Sequence, residues 1–192
     1  MAEGHPNKSI VKIMNKLFLA IEPSPHVRSL LAEYVPKVQE KLTRQGMRWV
    51  SPEKWHVTLG FIGDEQAQVV IDSIQGLLQS QSEVALSLSG ISGFPDLKRP
   101  GVLFLNVVSA NISTLRTAVE GVCEPNEGEF TPHLTLSRMK PASTKLGHKL
   151  RDFMHSGAKI EDAEWLATEV VLFNSLPDGS YEALHRFKLN QQ

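Results

Sequence analysis

Cysteine is nearly absent from this sequence: Cys123 is the only one in 192 residues. A single thiol excludes a disulfide framework and fits a reducing compartment. Net charge is missing too, since 20 Lys and Arg face 21 Asp and Glu. That balance gives no electrostatic case for coating duplex nucleic acid or a membrane, and predicts a shallow salt dependence for any binding of RNA. No apolar run could span a bilayer, and the polar start from Met1 to Ser9 lacks the apolar segment of a signal peptide. Residues 1–15 are therefore expected to form a flexible N-terminus, and residues 16–192 a single domain with a substantial core. The expected setting is cytoplasmic and the expected state a monomer, with no membrane association. No P-loop pattern or glycine-rich βα turn appears, so the usual nucleotide-binding signatures are absent as well.

What is present is a motif that occurs twice. Trp55-His56-Val57-Thr58-Leu59-Gly60-Phe61 is echoed by Pro132-His133-Leu134-Thr135-Leu136-Ser137-Arg138. Both runs read His-apolar-Thr-apolar, a composition that favours a strand. Residues two apart on a strand share a face. His56 and Thr58 are thus expected to project one way, with Val57, Leu59 and Phe61 on the other. His133 and Thr135 repeat the arrangement, backed by Leu134 and Leu136. By the same parity Gly60 shares the His56 face, where its missing side chain would leave room for a substrate or simply ease strand packing.

The rest of the chain alternates strands and helices. Lys16 to Ile21 is an apolar run stopped by Pro23 and reads as a buried strand. Ser24-Pro25 supplies an N-cap and a proline at the first helical position. The apolar spacing from Val27 to Leu42 predicts an amphipathic helix ended by Gly46 and kinked or split at Pro36. Met47 to Val50 reads as a short strand. Asp64 is expected to cap a helix with an apolar stripe from Ala67 to Leu78. Strands are expected at 84–89 and 102–108, with a turn-rich loop between Gly93 and Pro100. A helix capped by Asn111 should run to Val122, and a loop over 124–129 should lead into the second motif. Another helix is expected from about Thr144 to Met154, then strands at 170–173 and 181–189 joined by the Pro177-Asp178-Gly179 turn. Crossovers of unequal length argue for an α+β fold with antiparallel β-sheets rather than a doubly wound parallel sheet. Two matched His-x-Thr strands suggest a bilobal molecule, two pseudo-symmetric lobes flanked by helices around a central active-site cleft.

Two imidazoles and two hydroxyls converging on a cleft suit one kind of chemistry. Histidine titrates nearest neutrality, so one ring can take a proton while the other gives one. Threonine hydroxyls donate hydrogen bonds to an oxyanion without adding charge. In-line attack on a phosphodiester needs its base and its acid on opposite sides of phosphorus, as two facing strands would provide.

The paired His56-Val57-Thr58-Leu59 and His133-Leu134-Thr135-Leu136 resemble the 2H phosphoesterase superfamily, and more narrowly its RNA 2′,3′-cyclic phosphodiesterases, also called 2′-5′ RNA ligases. The likeness extends to Lys16–Ile21, Arg48-Trp49-Val50, Phe61-Ile62-Gly63, Phe94-Pro95 and Arg99-Pro100. It continues in Leu172-Phe173-Asn174-Ser175, in Tyr181 and in the Arg186-Phe187-Lys188-Leu189 ending. The resemblance implies a bilobal α+β fold and a reaction that needs no metal and no cofactor. It opens an RNA 2′,3′-cyclic phosphate to a 2′-phosphate end, and its reversal joins 2′-5′ ends without ATP. It further implies His56 as general acid, His133 as general base, and Thr58, Thr135 and Arg138 as phosphate-binding groups. Arg138 has the wrong strand parity for the cleft unless its strand twists or ends there. Phe18 is a candidate platform for the terminal base or else a plain core residue.

Competing readings remain at this level. Strand histidines are often structural, and histidine can bind zinc, but neither motif supplies a carboxylate or cysteine to complete a ligand set. A small cyclic nucleotide could replace RNA as substrate. A binding module for RNA ends could have kept the cleft without turnover. His5, His26, His148, His155 and His185 stand outside any motif. The stretch from Arg138 to Arg151 carries Lys140, Lys145 and Lys149 and no acid, so it either steers an RNA backbone or is a solvated helix face.

Overall fold

A computed structural model describes residues 16–125 and 128–191. The N-terminal stretch 1–15, expected to be flexible, lies outside the described residues, as does part of the 124–129 loop. The chain opens with β1 (Leu17–Ile21), buried at every position. Leu17, Leu19 and Ile21 enter the main core, while Phe18 and Ala20 join Val171 and Phe173 in a second apolar cluster on the other face. Burial on both faces is why this strand reads as an unbroken apolar run.

Helix α1 (Pro25–Leu42) starts as expected, with the Ser24 hydroxyl accepting the Val27 N–H at 3.3 Å and Pro25 in the first turn. It runs through Pro36 as one helix. The donor that Pro36 lacks would have bonded the carbonyl of Ala32, an exposed residue whose oxygen water can reach. The helix stops at Leu42, ahead of Gly46. With φ +84°, that glycine serves the turn into β2 (Met47–Trp49) instead.

Next come β3 (Val57–Gly63), α2 (Ala67–Gln79), β4 (Val84–Phe94), β5 (Val102–Val108) and α3 (Ile112–Ala118). They are followed by β6 (His133–Met139), α4 (Thr144–His155), β7 (Glu164–Ala167), β8 (Glu169–Ser175) and β9 (Tyr181–Lys188). Gln66 rather than Asp64 holds the N-cap position of α2. β4 continues to Phe94, beyond the expected strand, and α3 gives way to a 3₁₀ turn at Glu120–Val122. β7 has no counterpart in the sequence reading. Its inward residues are only Trp165 and Ala167, and the exposed Leu166 between them hides the apolar–polar alternation that would mark a strand.

The fold is α+β and every strand pairing between named strands is antiparallel. The order is β7-β4-β5-β6-β3-β1-β8-β9, with β2 on the far part of β6. The two motif strands meet at the centre, and Val57 opposite Leu134 is the single register pair that joins β3 to β6. Beyond that pair β6 turns to β2, with Arg48 opposite Arg138 and Met47 opposite Met139. The antiparallel halves β7-β4-β5-β6 and β3-β1-β8-β9 are thus joined at one narrow seam, and the cleft opens where β3 and β6 part. Helices α1 and α4 pack on each other, and α2 packs on β9. No helix among the described residues is long and apolar enough to cross a membrane.

Candidate active site

The same backbone irregularity interrupts both motif strands. In the β1–β3 ladder Gly60 lies opposite Leu19 and Thr58 opposite Ala20, which leaves Leu59 as an extra residue. In the β5–β6 ladder Ser137 lies opposite Leu103 and Thr135 opposite Phe104, which leaves Leu136 extra. A one-residue bulge reverses the alternation beyond it. Leu59 and Gly60 are consecutive buried residues, and so are Leu136 and Ser137. The residues that follow, Phe61 and Arg138, therefore turn to the cleft face.

This reversal settles the parity of Arg138 and corrects two expectations. Phe61 does not point into the core with Leu59; it is 55 % exposed and lines the cleft. Gly60 does not face the substrate side. A Cβ there would sit 2.4 Å from Cys123 Sγ, so its missing side chain makes room for Cys123.

Each imidazole is tethered in the same way. His56 Nδ1 lies 2.7 Å from the Lys54 carbonyl, and His133 Nδ1 lies 2.8 Å from the Thr131 carbonyl. A carbonyl only accepts, so both Nδ1 atoms carry the proton and both Nε2 atoms hold the free lone pair of the neutral ring. His56 Nε2 is 3.0 Å from Thr58 Oγ1, which places that hydroxyl to donate to it. Among the described residues His133 and Thr135 make no such bond. Aromatic rings brace both histidines. Phe18 and Tyr181 stand 5.2 and 5.4 Å from His56, and Phe94 and Phe104 stand 5.0 and 5.1 Å from His133.

A cavity of about 550 Å³ lies in the cleft, and His56, Thr58, Thr135, Arg138 and Phe18 all line it. His133 is outside its lining but shares the face of β6 with Thr135, close enough that its protonation would lower the His56 pKa. Phe18 is only 3 % exposed, so the ring area open to a ligand belongs to Phe61 and to Tyr181 at 36 %. Lys54, with Nζ 6.0 Å from the Tyr181 ring centre, completes that wall. Phe61, Tyr181 and Lys54 were missed as site residues. The usable signal was Phe61, which directly follows a motif whose second copy ends in Arg138.

Burial pushes both imidazoles below the ordinary histidine value. The tethering carbonyls pull the other way without reversing the shift. Positive charge lowers both values further: His133, when protonated, and then Arg138 at His56, and Arg138 at His133. The free cleft therefore holds two neutral bases beside a fixed cation, and an anion entering it would favour protonation of either ring. Among the described residues, no group of three or more His, Cys, Asp or Glu is placed to hold a metal ion.

Comparison with known proteins gives a consistent picture. The family model described as LigT-like phosphoesterase matches residues 21–104. An RNA 2′,3′-cyclic phosphodiesterase of Aeropyrum pernix is 31% identical over 55% of this chain and 68% of its own. The protein of that name from Aquifex aeolicus is 29% identical, over 67% of this chain and 72% of its own. The one from Methanocaldococcus jannaschii is 26% identical, over 88% and 98%. Among solved structures, TT0787 of Thermus thermophilus superposes with a TM-score of 0.71 at 22% identity, covering 92% of this chain and 99% of that one. E. coli LigT complexed with 3′-AMP gives 0.67 at 21%, covering 93% and 99%.

Proposed function

The chain belongs to the LigT-like phosphoesterases, a branch of the 2H phosphoesterases, and from that footing we propose that it hydrolyses 2′,3′-cyclic phosphate ends of RNA to 2′-phosphate ends. The relatives that carry the name RNA 2′,3′-cyclic phosphodiesterase support the activity. The observation that carries the mechanism is the twin tether, which fixes each Nδ1 on a carbonyl and leaves each Nε2 as the working atom.

In this reading the phosphate lies between the two motif strands, with Thr58, Thr135 and Arg138 binding its free oxygens. His133 Nε2 takes a proton from water as the water oxygen bonds to phosphorus. The bond from phosphorus to O3′ breaks, and His56 Nε2 returns a proton to O3′, leaving phosphate on O2′. His56 needs a proton on Nε2 to act as the acid, and the bound phosphate anion supplies the bias that the empty cleft lacks. Thr58, hydrogen-bonded to that nitrogen in the free protein, can turn its hydroxyl to the phosphate once Nε2 is protonated. The terminal base packs against Phe61 and Tyr181, with Phe18 buttressing both the His56 and Tyr181 rings from below. With a ribose 5′-hydroxyl in place of water as the nucleophile, the same forward steps form a 2′-5′ linkage without ATP, and their reversal cleaves it.

The test is turnover of a short RNA ending in a 2′,3′-cyclic phosphate, with EDTA present and the product end identified. Conversion to a 2′-phosphate that fails in both His56→Ala and His133→Ala is the expected result. A 3′-phosphate product would reverse the leaving oxygen. No turnover by folded wild-type protein would sink the hydrolytic reading and leave a module that binds RNA ends.

A further inference from the structure

Beyond Arg138, a second depression of about 500 Å³ lies at the end of β6. Arg44, Arg99, Lys140 and Lys145 line it, together with no carboxylate. The four cations come from four places in the chain: the α1–β2 turn, the β4–β5 loop, the β6–α4 connection and the first turn of α4. Among the described residues none of the four takes part in an ion pair. The Asp96 carboxylate in the same loop offsets Arg99 in part, and clustering four cations still costs folding energy that a bound anion would recover.

The segments are held firmly against each other. Met139 N–H donates to the Gly101 carbonyl at 2.7 Å, and Ser143 N–H donates to the Pro100 carbonyl at 3.3 Å. Arg99 Nε donates to the Ala142 carbonyl at 3.3 Å. Helix α4 approaches the loop so closely that a Cβ at Gly147 would lie 2.2 Å from the Lys98 carbonyl oxygen. The cations therefore stand on a rigid frame, with the positive end of α4 beside them.

The depression also adjoins the cleft in the chain: Arg138 lines the cleft, and the next two residues, Met139 and Lys140, line the depression. Lys140 lies just past the end of β6, two residues beyond Arg138 and so at most about 7 Å from it along the chain. Arg48 stands directly opposite Arg138 in the β2–β6 ladder. Residues opposite each other in an antiparallel pair share a face, and like charges so placed are destabilising. Two arginines there make physical sense if an anionic chain passes over them.

Resting on the RNA-end reading above, we propose that Arg44, Arg99, Lys140 and Lys145 form a backbone-binding track for single-stranded RNA, entered by way of Arg48. The reacting phosphate sits on the last nucleotide, so every other phosphate of the substrate lies on its 5′ side. The track holds those upstream phosphates and makes an oligonucleotide a better substrate than a mononucleotide. Charge recognition of this kind carries no base preference.

The experiment compares wild type with the triple variant Arg44→Ala/Lys140→Ala/Lys145→Ala. Two substrates are used, a 2′,3′-cyclic mononucleotide and an octamer with the same cyclic end, and binding of the 2′-phosphate-ended octamer is measured by anisotropy at several salt concentrations. The expected result is octamer binding weakened about tenfold and a salt slope flatter by about 0.7 per lost contact, with mononucleotide kcat/KM unchanged. Equal octamer affinity for wild type and a variant that folds by circular dichroism overturns the track. If wild type turns over neither substrate, the hydrolytic reading fails by itself, and the anisotropy comparison still decides the track.

Discussion

The strand that carries His56 and the strand that carries His133 share their backbone and part company in their side chains. Both tether Nδ1 to the carbonyl two residues earlier, both keep a threonine two residues later, and both bulge at the next apolar residue. They differ at what the bulge presents. β3 turns Phe61 to the cleft where β6 turns Arg138, and β3 buries Gly60 where β6 buries Ser137. The shared parts set imidazole tautomer and position, which proton transfer requires. In the proposed reaction the parts that differ divide the recognition: one half would offer rings to a base, the other a guanidinium to phosphate.

The largest effect should come from the shared parts. His56→Ala and His133→Ala are each expected to lower kcat by about 10²–10⁴-fold, the usual worth of a positioned acid or base. If either variant keeps wild-type turnover, the two halves are not functional counterparts and the two-base mechanism falls. The pH profiles sharpen the assignment. The limb of wild-type kcat/KM that falls towards acid reports the base in the free enzyme, and burial holds His133 below its ordinary value. That limb is therefore expected below about pH 6.5 and should vanish in His133→Ala. Stability follows the same sign. Both rings favour the neutral form when folded, so their contribution is present above the unfolded histidine value and is lost as pH falls through the lowered folded values.

Thr58→Val and Thr135→Val come next. In the proposed mechanism each removes a phosphate donor, and a lost oxyanion donor costs about 10²–10³-fold in kcat. Only Thr58 also bonds a histidine, at 3.0 Å. Its variant alone should move the alkaline limb, which reports His56 as the proposed acid. Equal movement in Thr135→Val would show that the halves are more alike than the free structure.

The presented residues should then split kinetically. Arg138→Met removes a charge that lowers both imidazoles, so the acidic limb is expected to shift upward as turnover falls. Phe61→Ala should leave that limb in place and raise KM, by the roughly 1–3 kcal/mol that stacking a base on a ring contributes. A kcat loss for Phe61→Ala without a KM change would remove it from base binding.

How much of this was legible in the sequence depends on what each feature leaves in the residue pattern. β1 was legible because burial on both faces writes an unbroken apolar run, and α1 because Ser24-Pro25 caps it in plain view. The twin motif stood out because two rare residue types recur at one spacing. The bulges did not. Leu59-Gly60 and Leu136-Ser137 pair a large residue with a small one, which fits either strand phase, so nothing showed that parity flips before Phe61 and Arg138. The narrow seam at Val57 and Leu134 was equally silent, since strand order is a long-range property. The near-zero net charge averages away the four cations beside Arg138, and under the proposed track the shallow salt dependence expected from that charge would apply only to the reacting end.

The smallest effects concern the buried residue just before the presented one, and here the halves should answer one substitution with opposite signs. Gly60→Ala drives a methyl against Cys123, with Sγ at 2.4 Å and Cβ at 3.0 Å, in a fully packed region beside the Arg116 guanidinium. Overpacking of this kind costs about 1–3 kcal/mol. Ser137→Ala does the reverse, because Ser137 Oγ is buried without a hydrogen-bond partner. Deleting a hydroxyl that has left water and gained nothing should stabilise the protein by up to about 1 kcal/mol. Thermal or urea unfolding of both variants reads the contrast. A destabilised Ser137→Ala would mean that its hydroxyl finds a partner in solution, and an unaffected Gly60→Ala would mean that Cys123 can move aside. Opposite signs at one motif position would show that the two strands share a backbone plan while each is packed to its own neighbours.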